Sequence, residues 1–231
     1  MTGRVKPGSI LGTRVLRTED PQLLVGTGRY IADLDLPGAV HLAFARADMA
    51  HARIAGIDVV EAAAAPGVIA VWTAADLGVA PHHGMVTVHP DFGRPPLAVD
   101  RVRFAGEAVV AVVAESAIAA RDAAELVVVD YDPLPVVVDA EAALAADAPV
   151  LFEAHGDNVA LAVGDPSPDP LADADVVVRG RYVNQRLAVA PMEPHGAAAE
   201  VAPDGRLIVY GSTQMPHLMR QLLATALELP L

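Results

Sequence analysis

Ala108-Val109-Val110-Ala111-Val112-Val113-Ala114, then Glu115-Ser116, then Ala117-Ile118-Ala119-Ala120-Arg121-Asp122-Ala123-Ala124-Glu125-Leu126, then Val127-Val128-Val129-Asp130-Tyr131, decides the fold of this chain. The first run has the length and valine content of a strand. Ser116 stands at the N-cap position of the Ala-rich segment, where its side-chain oxygen can accept a backbone N–H, so a helix is expected from there to about Leu126. A second strand, 127–131, follows, and Asp132-Pro133-Leu134-Pro135 breaks it. The unit is strand, helix, strand.

Upstream, Val68–Trp72 reads as a buried strand and 40–47 alternates as a strand should. Asp58-Val59-Val60-Glu61 has capping-box spacing before a short Ala-rich helix that Pro66-Gly67 ends, and Thr73-Ala74-Ala75-Asp76 repeats the pattern before a helix of one or two turns. Residues 79–96 form a loop marked by Pro81, Gly84, Pro90, Gly93 and Pro95, long enough to be a candidate functional segment. Residues 1–37 read as an extended arm punctuated by Gly26-Thr27-Gly28 and closed by Pro37-Gly38.

Downstream, a short helix is expected over 140–146, and Asp, Pro, Gly and Ala dominate 147–172, which places a domain boundary near residue 148. Strands are expected at 175–184 and Ala197–Val201, then a Pro203-Asp204-Gly205 turn and the return strand Leu207–Gly211. From Pro216 a helix carries Leu218, Met219, Leu222, Leu223, Ala226 and Leu227 on one face, a stripe that needs a sheet to cover. The reading is a chain cut inside a domain at residue 231.

Two compact units of unequal size suit 231 residues, and a hydrophobic fraction of 53% supplies a sizeable core. Aromatics are only 4%, so packed Ala- and Val-rich layers of helix and sheet are favoured over an aromatic groove. The formal charge is -13, and the 16 Lys and Arg are scattered, which argues against nucleic acid or an anionic membrane as partner. With no cysteine, disulfides, cysteine-ligated zinc and iron-sulfur ligation are excluded within the sequence. No signal peptide or bilayer-length apolar run is readable, which fits a cytoplasmic protein.

Several constellations have plain readings. His82, His83 and His89 show no ligand spacing to a carboxylate and there is no HExxH pattern, so the loop is read as solvated and no metal ligand is assigned. Asp165, Asp169, Asp173 and Asp175 lack the Gly and terminal Glu of an EF-hand loop and read as a linker. Glu107 and Glu193 are the carboxylates to consider for acid or base work, but a structural role, accepting backbone N–H groups, is favoured for both. The last stretch, Ala190-Pro191-Met192-Glu193-Pro194-His195 to Ser212-Thr213-Gln214-Met215-Pro216, has the character of a cofactor site in outline. Gln214 falls between a strand and a helix N-terminus, where phosphate and oxo groups are favoured.

Taken together, Arg14-Val15-Leu16-Arg17-Thr18-Glu19-Asp20-Pro21, Gly26-Thr27-Gly28-Arg29-Tyr30, Ala50-His51-Ala52-Arg53-Ile54, Phe104-Ala105-Gly106-Glu107 and Asp130-Tyr131-Asp132-Pro133-Leu134-Pro135 resemble the molybdenum hydroxylase large subunits: xanthine dehydrogenase, aldehyde oxidase and aerobic carbon monoxide dehydrogenase. The resemblance implies a mixed α+β fold, with an N-terminal arm at 1–37, an a/b hammerhead domain at 38–147 and an incomplete α/β molybdopterin-binding domain at 148–231. Gly164-Asp165, Pro191-Met192-Glu193-Pro194-His195 and Ser212-Thr213-Gln214 are similar to the opening of that second domain, and Gln214 matches the glutamine that approaches molybdenum. Arg46-Ala47-Asp48-Met49 departs from the family's usual Arg-Ser-Pro.

The family's Gly-Gly-Phe-Gly segment and its glutamate base have no counterpart in the sequence, so no catalytic residue is assigned. The resemblance further implies molybdopterin, as the cytosine dinucleotide, together with the remainder of the molybdenum subunit, an iron-sulfur small subunit and an FAD-binding medium subunit. A cofactor-free docking module, or a nonfunctional fragment of the family, is the alternative reading.

Overall fold

In the computed structural model, which describes residues 11–164 and 171–231, the apolar run of the opening motif is the strand Ala108–Ala114 at the centre of a three-stranded antiparallel sheet. The elements in chain order are α1 Asp20–Leu24, β1 His41–Arg46, β2 Ala52–Asp58, α2 Val60–Ala64, β3 Val68–Trp72, β4 Arg101–Val102, β5 Ala108–Ala114, α3 Ala117–Glu125, β6 Val128–Pro133, β7 Ala197–Val201, β8 Leu207–Gly211 and α4 Pro216–Ala226. The chain divides into two compact units. One contains Gly38–Tyr182 with Met215–Leu231, and the other contains the described part of Met1–Pro37 with Val183–Gln214.

In the larger unit the sheets run β1-β5-β3 and β4-β2-β6. A central strand has neighbours on both edges and is covered on its faces, so β5 can be apolar along its whole length; Val109, Val110 and Val112 are completely buried. Burial of each such side chain stabilises by about 1.5–3 kcal/mol. The core joins them to Ala52 and Val102 of the second sheet and to Ala123 of α3. The helix begins where Ser116 Oγ accepts the Ala119 N–H at 3.1 Å. Its small buried residues, Ala120 and Ala123, allow close approach to β1 and β5.

Of the two capping boxes expected, the one at Thr73 forms and the one at Asp58 does not, since α2 is N-capped by Val59 with no side-chain cap hydrogen bond. Thr73 N–H and Oγ1–H both donate to Asp76 Oδ2 at 2.8 Å, but the helix they start is a single 3-10 turn, Ala74–Asp76. These donors, the backbone one first, hold the Asp76 carboxyl below its ordinary range. Asp58 Oδ1 accepts the Val60 N–H at 2.9 Å ahead of α2.

Three expectations are corrected. Residues 175–184 read as a strand and take no regular secondary structure; Val176, Val178 and Tyr182 lie exposed, and a strand needs a neighbour to take up its backbone hydrogen bonds. The helix expected over 140–146 is only the 3-10 turn Ala142–Leu144. The arm is not extended throughout, because α1 forms at Asp20-Pro21, with Pro at its first turn. Met1–Ser9, Asp165 and Asp169 lie outside the described residues.

In the smaller unit the arm docks on the Met-Glu-Pro-His segment. The Ile31 N–H donates to Glu193 Oε1 at 2.9 Å. Gly196 permits the approach, since a Cβ there would stand 3.2 Å from Ile31 Cβ. Among the described residues no helix is long and apolar enough to cross a membrane.

Candidate functional site

The segment carrying Gln214 is built on the β7-β8 hairpin. Gly205 at φ +85° closes the turn, and Ala202 N–H donates to Arg206 O at 2.8 Å. Arg206 reinforces it, donating from Nε (2.7 Å) and, second, from its backbone N–H (3.1 Å) to Asp204, which holds that carboxyl below the usual carboxylate range. Across the ladder Tyr210 donates its hydroxyl to Glu200 at 2.7 Å, and that bond above all raises the phenol's pKa.

Where β8 ends, Ser212 N–H donates to Gly196 O at 3.2 Å and its hydroxyl to Pro194 O at 3.4 Å. The segments 194–196 and 212–214 are thereby held side by side at the end of the hairpin. Gln214 is exposed, and among the described residues none hydrogen-bonds its carboxamide. It is the residue before Met215, the N-cap of α4. A carboxamide presents one acceptor oxygen and two N–H donors, a set suited to an oxo or phosphate group held by hydrogen bonds.

The two carboxylates weighed for acid or base work are both engaged by backbone amides. Glu193 accepts from Ile31, and Glu107 Oε2 accepts the Arg103 N–H at 2.6 Å. The structural role read for them from the sequence is the one the geometry shows.

A second constellation lies in the larger unit, and sequence reasoning found only part of it. The long loop holds His89 and Asp91, and the segment after the composition shift brings His155 to them, so that one ligand atom of each lies within 4.8 Å of the others. His82 goes elsewhere: its backbone pairs with Arg94 in an isolated bridge. The available signal was the repeated spacing His89-x-x-Phe92 and Phe152-x-x-His155, whose rings pack together.

Two family models match the chain: aldehyde oxidase and xanthine dehydrogenase, a/b hammerhead domain, over residues 25–135, and molybdopterin cofactor-binding domain over residues 151–231. Among curated relatives, the 6-hydroxypseudooxynicotine dehydrogenase complex subunit gamma of Paenarthrobacter nicotinovorans is 38% identical over 95% of this chain and 29% of its own length. The carbon monoxide dehydrogenase large chain of Afipia carboxidovorans is 36% identical over 95% of this chain and 29% of its own. Among solved structures, quinoline 2-oxidoreductase from Pseudomonas putida 86 superposes with a TM-score of 0.82 at 39% identity, covering 96% of this chain and 29% of that one. The chain thus spans less than a third of the length of these relatives.

Proposed function

We infer the function from the family to which this chain belongs, the molybdenum hydroxylase large subunits of the xanthine dehydrogenase, aldehyde oxidase and carbon monoxide dehydrogenase type. The chain supplies a hammerhead domain, taken as 38–147 behind the arm at 1–37, and the opening of a molybdopterin-binding domain, taken as 148–231, to an oxidoreductase. Gln214 is its contact to the cofactor. The observation that supports this reading is the placement of Gln214, exposed and with no hydrogen bond to its carboxamide among the described residues, beside a hairpin fixed by Ser212 and Asp204.

The residues present fit such a group. Gln214 would hold it through its carboxamide, while Ser212 and the Ile31-Glu193 bond keep the segment from moving. When bound, molybdopterin supplies the two-electron redox chemistry of a hydroxylation. Within this chain no carboxylate is assigned as the base, since Glu107 and Glu193 serve the backbone. The finer reading is the cytosine dinucleotide form of the cofactor, the remainder of the molybdenum subunit, iron-sulfur and FAD-binding partner subunits, and a cytoplasmic location.

The test is the molybdenum content, per mole of chain, of the protein purified gently from its host. Near-stoichiometric metal is the expected result. Absence of molybdenum would overturn the cofactor reading and favour a docking module that keeps only the hammerhead surface.

A further inference from the structure

We propose that His89, Asp91 and His155 form a divalent-cation site of the zinc class. The site is independent of the molybdopterin reading and pins the long loop to the segment beyond the composition shift.

The two halves arise locally and then meet. In His89-Pro90-Asp91-Phe92 a 3-10 turn, Pro90–Phe92, brings Asp91 Oδ2 to 3.4 Å from His89 Nδ1. In Phe152-Glu153-Ala154-His155 the His155 N–H donates to Phe152 O at 2.9 Å, closing a turn of the same span. Phe92 stacks edge-on against Phe152 at 4.9 Å and lies 4.7 Å from the His155 ring, which leaves the two imidazoles 4.8 Å apart, centroid to centroid. The two phenyl rings thus pack beside the two imidazoles.

The atoms suit a small cation. Zinc holds imidazole nitrogen and carboxylate oxygen at roughly 2.0–2.2 Å, so neighbouring ligands of a tetrahedral site lie about 3.3 Å apart. The 3.4 Å between His89 Nδ1 and Asp91 Oδ2 matches this, and a ligand atom of each of the three residues lies within 4.8 Å of the others. His155 Nε2 lies 3.0 Å from Val159 O and 3.4 Å from Asp157 Oδ1. Donation of its N–H to these acceptors leaves Nδ1 with a lone pair for the metal, the outer-partner arrangement usual for metal-bound histidine. His89 Nδ1 gives up only a long 3.3 Å bond from the Asp91 N–H. Two imidazoles and one carboxylate select zinc and its neighbours over calcium or magnesium, and three protein ligands leave one position to solvent.

The framework is set before any metal arrives. Asn158 Nδ2 donates to Ala143 O (3.1 Å) and Pro149 O (2.9 Å), and its Oδ1 accepts from Leu151 N–H (3.1 Å). Arg103 donates to Leu151 O at 3.1 Å and lies over the Phe152 ring. Pre-organised ligands lose little freedom on binding.

The metal-stripped 231-residue chain is titrated with zinc against a chromophoric chelator, and with cobalt(II) by visible absorption. The expected result is one zinc per chain, a tetrahedral cobalt spectrum, and affinity at least ~10-fold weaker in His155→Gln and in His89→Gln, but unchanged in His82→Gln. Circular dichroism checks folding; should either histidine variant misfold, Asp91→Asn in the surface turn takes its place, with the same loss expected. Failure of the chain to bind zinc at about 100 µM, or binding that survives in the folded variants, overturns the site.

Discussion

The Ile31 N–H and Glu193 Oε1 meet at 2.9 Å, joining the arm to the Met-Glu-Pro-His segment from opposite ends of the sequence. A bond to an ionised acceptor contributes about 1.5–3 kcal/mol. Glu193→Ala should therefore release the arm, and Glu193→Gln, which keeps an acceptor, should release it less. Limited proteolysis near Thr27 reads this directly; equal cleavage of wild type and Glu193→Ala would show that the bond does not hold the arm.

Gln214→Ala in the complete subunit should lower molybdenum content or turnover while leaving circular dichroism and thermal unfolding unchanged. Its side chain supports no other described residue, so a stability effect is not expected beyond about 0.5 kcal/mol. Full metal loading with full activity would remove Gln214 from the site.

Tyr131 packs against the core with its hydroxyl buried and, among the described residues, without a hydrogen-bond partner, and burial raises its pKa. An unsatisfied buried hydroxyl costs free energy that a ring hydrogen does not. Tyr131→Phe is expected to raise stability by up to about 1 kcal/mol in urea denaturation. A clear destabilisation would mean that the hydroxyl is bonded in solution.

Arg101, buried to 8% exposure, donates to Glu153 at 3.1 Å, and this contact keeps the Glu153 carboxyl below its ordinary value of 4.5. Because the folded value is the lower one, the pair's contribution is complete above the unfolded value and is lost as pH falls through the folded value. Glu153→Gln should flatten the acid limb of the stability profile in that window. The check is the urea midpoint measured from about pH 6 to pH 3; parallel profiles for wild type and variant would exclude the linkage.

Much of the fold is legible in the sequence because its signals are local. β3 and β5 lie where apolar runs place them, Ser116 caps α3, and Pro203-Asp204-Gly205 turns the hairpin. β2 is not legible: Arg53, Gly56 and Asp58 break its alternation, and its pairing with β4 and β6, with a register shift between Ile54 and Gly56, makes it a strand. The reverse holds at 175–184, where Val176-Val177-Val178 carries strand propensity but the described residues offer no neighbouring strand. At the candidate sites, the spacing around Gln214 could be read along the chain. His155 could not be joined to His89, because only tertiary packing of Phe92 on Phe152 brings them together.

The matched models leave residues 136–150 between them, an inviting seam for anyone recombining modules of this family. The Arg101-Glu153 pair crosses that seam, and the carboxamide of Asn158 reaches back into it, to Ala143 and Pro149. A chimera joined there would take Glu153 from the buried Arg101 guanidinium and leave it Asp100 as its carboxylate partner, which should lower the stability of the hammerhead. Exchangeable blocks in this lineage should therefore be cut beyond Asn158, so that Glu153 and Asn158 travel with the hammerhead that needs them.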